Sequence, residues 1–492
     1  MMRCLFPAYP ALLGLICLAL AACASLDPYA QPPVAQRLQR DDAIGDCARL
    51  FRASDTAIDA AGTRDAQAAR VPGFPYLRVD RLLAKLADAT EADPQRTRVW
   101  SEALATLDDS ARRTELRNAG GDDVAMAETL AACRRLLATA DQEELGVLIA
   151  AAQVPDDYST ALRVLGLYPL TRHVFAAGIR QWQRDTLADF AAHGTADPVR
   201  YRRTRYVAAA TAEVMPSVGD GPALGLPPAS PATLARLVVR HAPTLAIETA
   251  GDDDRPGALV WQHEHDRLQA GVAVDDPVLY VRTAYSQIGG RWLRQLIYTA
   301  WFSARPPAHV FDVLAGRLDG LLWRVTLADD GAALVYDTIH PCGCYHLFIP
   351  TERVRARPQP ETIDESLFVP QTLRSPGVHE RVVLKLAART HYLQRVEIDA
   401  QRGDGDGGDK LLALRDEDSL RSLPVPDGGT RSVFGPEGLI AGSERRERFY
   451  FWPMGITSAG QMRQWGRHAT AFVGRRHFDD PALFDRYFER LP

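Results

Sequence analysis

The hydrophobic pattern of this chain changes period once, at a Pro- and Gly-rich stretch, PSVGDGPALGLPPASPA (216–232). Before it, apolar residues recur every three or four positions, as in Ala43, Cys47, Leu50 and Phe51, or Leu130, Cys133, Leu136 and Leu137. That spacing lays an apolar stripe along one face of a helix. After it, the period is two: Leu321, Trp323, Val325 and Leu327 share one strand face. Gly289-Gly290 separates two such runs and predicts a tight hairpin. The chain therefore reads as α+β. A helical domain over 41–214 and a linker over 215–232 precede a β-rich domain over 233–492. That domain is expected to be mostly antiparallel, sandwich- or roll-like, with a short helical tail near 481–488.

At 492 residues the chain exceeds what one core usually organises, in keeping with two domains. Net charge is −5, from 57 basic and 62 acidic residues spread along the chain. Nothing in this balance favours nucleic acid as a partner.

The N-terminus carries an address. Arg3 and an apolar run from Ala11 to Leu20, too short to span a bilayer, lead into Leu20-Ala21-Ala22-Cys23. This resembles the signal segment and lipobox of bacterial lipoproteins, a likeness confined to about the first 25 residues. It implies a signal peptide over 1–22, lipid on Cys23 and a tether over 23–40. Partnership with a membrane through that anchor follows, because acyl chains contribute about 0.8 kcal/mol per buried methylene. Ala24, in place of an aspartate after the cysteine, implies the outer membrane, with the chain facing the periplasm.

With Cys4 and Cys17 in the leader and Cys23 lipidated, four cysteines remain for an oxidising compartment: Cys47, Cys133, Cys342 and Cys344. Cys47 and Cys133 sit in two helical patterns. A disulfide between them would contribute about 4 kcal/mol on the chain-entropy account.

Two clusters carry possible chemistry. In His340-Pro341-Cys342-Gly343-Cys344-Tyr345-His346, four donors alternate along the chain, and Gly343 allows it to fold back. Cys342 and Cys344 could form a local disulfide, ligate a metal with His340 and His346, or stay free, one of them as a nucleophile. In Trp261-Gln262-His263-Glu264-His265-Asp266, the two histidines share a strand face. Were the clusters to meet, His263 and His265 with members of 340–346 would suit zinc, and Glu264 would serve as general base. Arg467-His468 and Arg475-Arg476-His477 form a third, basic cluster, suited to an anion or to ion pairs with Asp479 and Asp480. Neither HExxH, G-x-S-x-G nor a Walker loop occurs.

Two functions are therefore expected from different classes. One is a lipid-anchored envelope protein with a structural or interaction role and a possible envelope protein partner. The other is a zinc-dependent hydrolase.

Overall fold

In the computed structural model the described residues are 27–88, 93–121, 124–192, 202–212, 222–400 and 409–491. Cys23 lies outside them.

The helical half forms where the three-four period predicts it. Asp42 caps helix Ala43–Ala61 by accepting from the amides of Ile44 and Gly45, and Gly62, at φ +65°, ends it. The helix buries Phe51 and Ile58 completely. Helices Pro94–Asn118 and Val124–Ala140 complete this core with Trp100, Leu104 and Leu137. Cys47 and Cys133 are joined across two of the helices, with Cα atoms 5.1 Å apart. A hairpin, Ala69–Val71 with Phe74–Val79, is packed among the helices. It carries Arg78 into the interior, where Glu115 takes both guanidinium ends at 2.8 and 2.6 Å.

The second half is built on ten strands. Their order by residue range is 347–350, 333–339, 316–327, 291–305, 278–288, 410–416, 202–212, 244–249, 380–386 and 393–400. Gly289 and Gly290, at φ +65° and +70°, make the expected hairpin between Val278–Ile288 and Arg291–Arg305. The sheet is mixed: Lys410–Asp416 runs parallel to both its neighbours, and Glu380–Leu386 runs parallel to Thr244–Thr249. Six of its nine strand pairings are antiparallel, as the alternation suggested, but the three parallel ones make it one mixed sheet rather than an antiparallel sandwich or roll, because a period of two marks a strand but not its direction.

Strand Arg202–Ala212 was assigned to the helical half yet lies inside this sheet. Its run of small residues, Ala208 to Ala210, has no period to read. Leu224 and Leu226, from the Pro/Gly stretch, are buried in the helical core rather than spanning a gap.

Helix Tyr168–Ala191 positions the site. Gly166 and Leu167 separate it from Thr160–Leu165, and Pro169 falls in its first turn, where a missing amide costs nothing. Trp182 of this helix packs against Tyr345 and Phe368, each with ring centroids 5.5 Å away.

Candidate functional site

The segment 340–346 links strands Ala333–Ile339 and Leu347–Pro350, and it turns rather than running straight. The Gly343 amide donates to the His340 carbonyl at 2.8 Å, and the His340 amide donates to the Cys344 carbonyl at 3.0 Å. Gly343 has φ +89°, and a Cβ there would lie 2.4 Å from the Ala469 carbonyl oxygen. Glycine is thus required twice, by the turn and by the loop that presses on it.

The reversal sends the two histidines to different carboxylates. His340 Nδ1 lies 3.2 Å from Asp319 Oδ1, whereas His346 Nε2 donates to Asp337 Oδ2 at 2.8 Å. Burial lowers His346 to about 3, so the ring is neutral, with its proton on Nε2. Its Nδ1 is buried without a hydrogen-bond partner. Cys342 and Cys344 are two buried, unbridged thiols. Hydrogen bonding with Cys342 and burial push the Cys344 thiol well above its ordinary value. Their bridging, among the alternatives in the sequence, is not the arrangement found.

The second cluster does not join the first. His263 is exposed on the hairpin Ala258–Glu264/Arg267–Ala273 and lies 3.0 Å from Asp427. Glu264 pairs with Arg317, and His265 sits in the hairpin turn at φ +49°. Among the described residues no three His, Cys, Asp or Glu side chains converge as a metal site. The zinc set drawn from His263, His265, His340, Cys342, Cys344 and His346 is therefore not assembled, nor is Glu264 placed as its base. The physical reason is local: four of these side chains already face protein counter-charges, and the thiols lie in an apolar wall. The basic cluster is an ion-pair network, but chiefly with other acids. Arg467 reaches Asp157 at 2.9 Å, Arg475 pairs with Asp156, and His477 lies 3.3 Å from Asp156.

Beneath the turn lies a charged group that the sequence did not reveal. Asp319 takes His391 Nδ1 at 2.9 Å, His340 Nδ1 at 3.2 Å and Arg445 at 3.3 Å. Burial works to raise Asp319, but the charges of His340 and Arg445 hold it well below the usual carboxylate range. His391 donates from Nδ1 to Asp319 and from Nε2 to the Asp253 carbonyl at 3.1 Å. Burial opposes its charge, yet hydrogen bonds to Asp254 and Asp319 raise it overall. His340 goes the other way, lowered by burial against the pull of Asp319. The available signal was Asp319 itself, a carboxylate inside the apolar strand run Leu318 to Val325, which a buried strand tolerates only when paired.

Above the turn is a cavity of about 480 Å³, a usual size for a small-molecule site. One wall is the Cys342–His346 segment, a second is helix Tyr168–Ala191, and a third is the loop 456–472. Aromatic rings run along it in edge contact: Phe175 to Phe451 at 5.3 Å, Phe451 to Phe472 at 5.0 Å, and Tyr345 to Tyr392 at 4.7 Å. Two carboxyls line it. Glu365 accepts from the Phe472 and Val473 amides, and burial raises it. Glu447 is 3% exposed and has no side-chain hydrogen bond or ion pair among the described residues. Its carboxyl sits where any Cβ on Gly460 would be. Burial chiefly, with Asp319 and Asp312 adding to it against Arg445 and Arg305, raises Glu447 to about 7.

The mouth is unusually apolar. Leu170 and Val174, 69% and 74% exposed, project from helix Tyr168–Ala191 beside the cavity wall. Phe449 and Tyr450, 65% and 61% exposed, flank Phe451 of the wall. Leu165 and Leu167 extend the patch, on a helix that Arg163 ties to the Met454 carbonyl at 2.8 Å. Solitary exposed leucines need no explanation, but several large exposed apolar side chains on the segments that wall a cavity mark a contact surface.

Fold and site together define an α+β protein with a mixed ten-stranded sheet and an aromatic-walled cavity at one edge of it. No protein-family model matches the chain, and neither a curated protein nor a solved structure was found to be similar to it.

Proposed function

We propose that this chain is a lipid-anchored cell-envelope protein that binds an apolar or amphipathic small molecule in the cavity above Cys342–His346. The observation that carries the reading is the pairing of an aromatic-walled cavity with an exposed apolar rim. The exposed rim residues cost solubility, and the cavity leaves part of the apolar wall unfilled. The lipobox-like residues up to Cys23 support a lipid anchor, and Ala24 after them supports an outer-membrane address facing the periplasm. The 340–346 segment then acts as the floor of a binding site, and its histidines brace that floor through Asp319 and Asp337.

Gly178 supplies the test. It lines the cavity, and a Cβ built on it meets nothing within 4 Å. Gly178→Phe therefore fills the cavity without disturbing the helix, where replacing glycine is itself favourable. The mature protein should bind a hydrophobic fluorophore such as N-phenyl-1-naphthylamine, and G178F should lose at least tenfold in affinity with an unchanged circular dichroism spectrum. Equal binding by both proteins would end the cavity reading. Cys23→Ser should move the protein from the membrane to the aqueous fraction of cells; retention of the variant in the membrane would end the anchor reading.

A further inference from the structure

The chemistry of the cavity narrows its ligand, on the footing that the cavity is a binding site. The chain holds 57 lysines and arginines, yet none of those among the described residues lines this cavity. The guanidiniums close to it are engaged elsewhere: Arg476 lies 3.8 Å from Glu365 and donates to the Thr470 carbonyl at 2.9 Å. Arg445 bonds the Gly460 and Leu318 carbonyls at 3.1 and 2.9 Å, and Arg305 donates to the Tyr392 hydroxyl at 3.0 Å. Of the two carboxyls that line it, Glu365 is held by backbone amides, whereas Glu447 is unpartnered and almost wholly buried. His346 adds a ring whose Nδ1 lone pair has no partner. The unsatisfied polar groups singled out here are a carboxyl and an imidazole lone pair, set in a wall of aromatic rings. Aromatic walls with a carboxylate are how proteins hold ammonium groups, most strongly when water is excluded. An anion would meet two acids, and the cation beside them, Arg476, already faces Glu365.

We propose that the cavity takes an organic cation with an apolar body, a protonated or quaternary amine, and that Glu447 binds its charge. The groups that face Glu447 are Arg445 and Arg305, which favour its ionised form, and Asp319 and Asp312, which oppose it. Cys344 and Tyr345 lie beside it as neutral groups raised by burial and by their neighbours. A bound cation supplies the missing counter-charge, so Glu447 gives up its proton on binding. For a permanently charged ligand, affinity then rises with pH through about 7.

The test compares octyltrimethylammonium, octyl glucoside and octyl sulfate by calorimetry, all below their micelle concentrations. The cation should bind at least tenfold more tightly than either other compound. Its binding should release protons at pH 7, seen as a heat that depends on the ionisation enthalpy of the buffer. Glu447→Gln should abolish both the preference and the proton release while leaving octyl glucoside affinity and melting behaviour at pH 5 intact. Equal affinity for the three compounds, or a preference that survives in E447Q, overturns the inference but leaves the cavity reading. Failure of all three to bind removes both. Tetramethylammonium, and vesicles of phosphatidylethanolamine against phosphatidylglycerol, separate the sources: a free amine competes alone, whereas a lipid headgroup retains the protein only on amine-bearing vesicles.

Discussion

His391 Nδ1 donates to Asp319 Oδ2 at 2.9 Å while the opposite ring nitrogen donates to a backbone carbonyl, so the ring is held as an imidazolium in the protein interior. Phe302 stacks on it at 3.9 Å, and Arg445 shares the same carboxylate.

Removing that carboxylate takes the shared counter-charge from buried Arg445 and leaves buried His391 with Asp254 alone, 3.4 Å away. Asp319→Asn should cost about 3–5 kcal/mol by urea denaturation. Asp319 is lowered on folding, so its contribution is present above the unfolded value and is lost as pH falls through the folded one. His391 is raised, so its contribution is present below the unfolded value and is lost as pH rises through the folded one. The gap between D319N and wild type should therefore be widest between about pH 4 and 6.5 and should narrow on both sides. A gap that does not vary with pH would show that the pair is uncharged.

Glu447 gives the opposite profile. Its folded value of about 7 lies above the usual 4.5, so its contribution is present below pH 4.5 and is lost as pH rises through 7. Without ligand, Glu447→Gln should match wild type near pH 4.5 and exceed it at pH 8 by on the order of 2–3 kcal/mol. Thermal melts at the two pH values read this directly.

Arg324 holds both oxygens of Asp337, at 2.8 and 2.6 Å, and lies over the Phe478 ring with its guanidinium carbon 3.7 Å from the centroid. Arg324→Ala should cost about 3–5 kcal/mol by leaving Asp337 buried beside a neutral histidine. Arg324→Lys should recover only part, since one ammonium replaces neither the fork nor the stack. Chemical denaturation of the pair measures the difference.

Cys47 and Cys133 are 86 residues apart, so their bond closes a long loop in the unfolded chain. The C47A/C133A protein should lose about 4–5 kcal/mol on the chain-entropy account. A denaturation midpoint that ignores reducing agent would contradict the bond.

Much of the fold was legible. The period change separated most helices from most strands, and Gly289-Gly290 placed the central hairpin. Strand Arg202–Ala212 escaped because alanines carry no period, and strand direction escaped because alternation is the same in both senses. The turn at Gly343 in the site, and in the helical half the pairing of Cys47 with Cys133, could be read from residue type and spacing. The partners could not. His340 and His346 look equivalent on paper, yet they pair with carboxylates on two different strands, 316–327 and 333–339.

Local order is thus a property of the sequence: period, caps and glycine turns act over a few residues, and their energies are set there. What Glu447 faces, and why it stays protonated near neutrality, belongs to the tertiary structure alone. Apart from Arg445, two residues away, the charges around Glu447 come from segments more than a hundred residues distant, Arg305, Asp312 and Asp319, and no spacing along the chain encodes them.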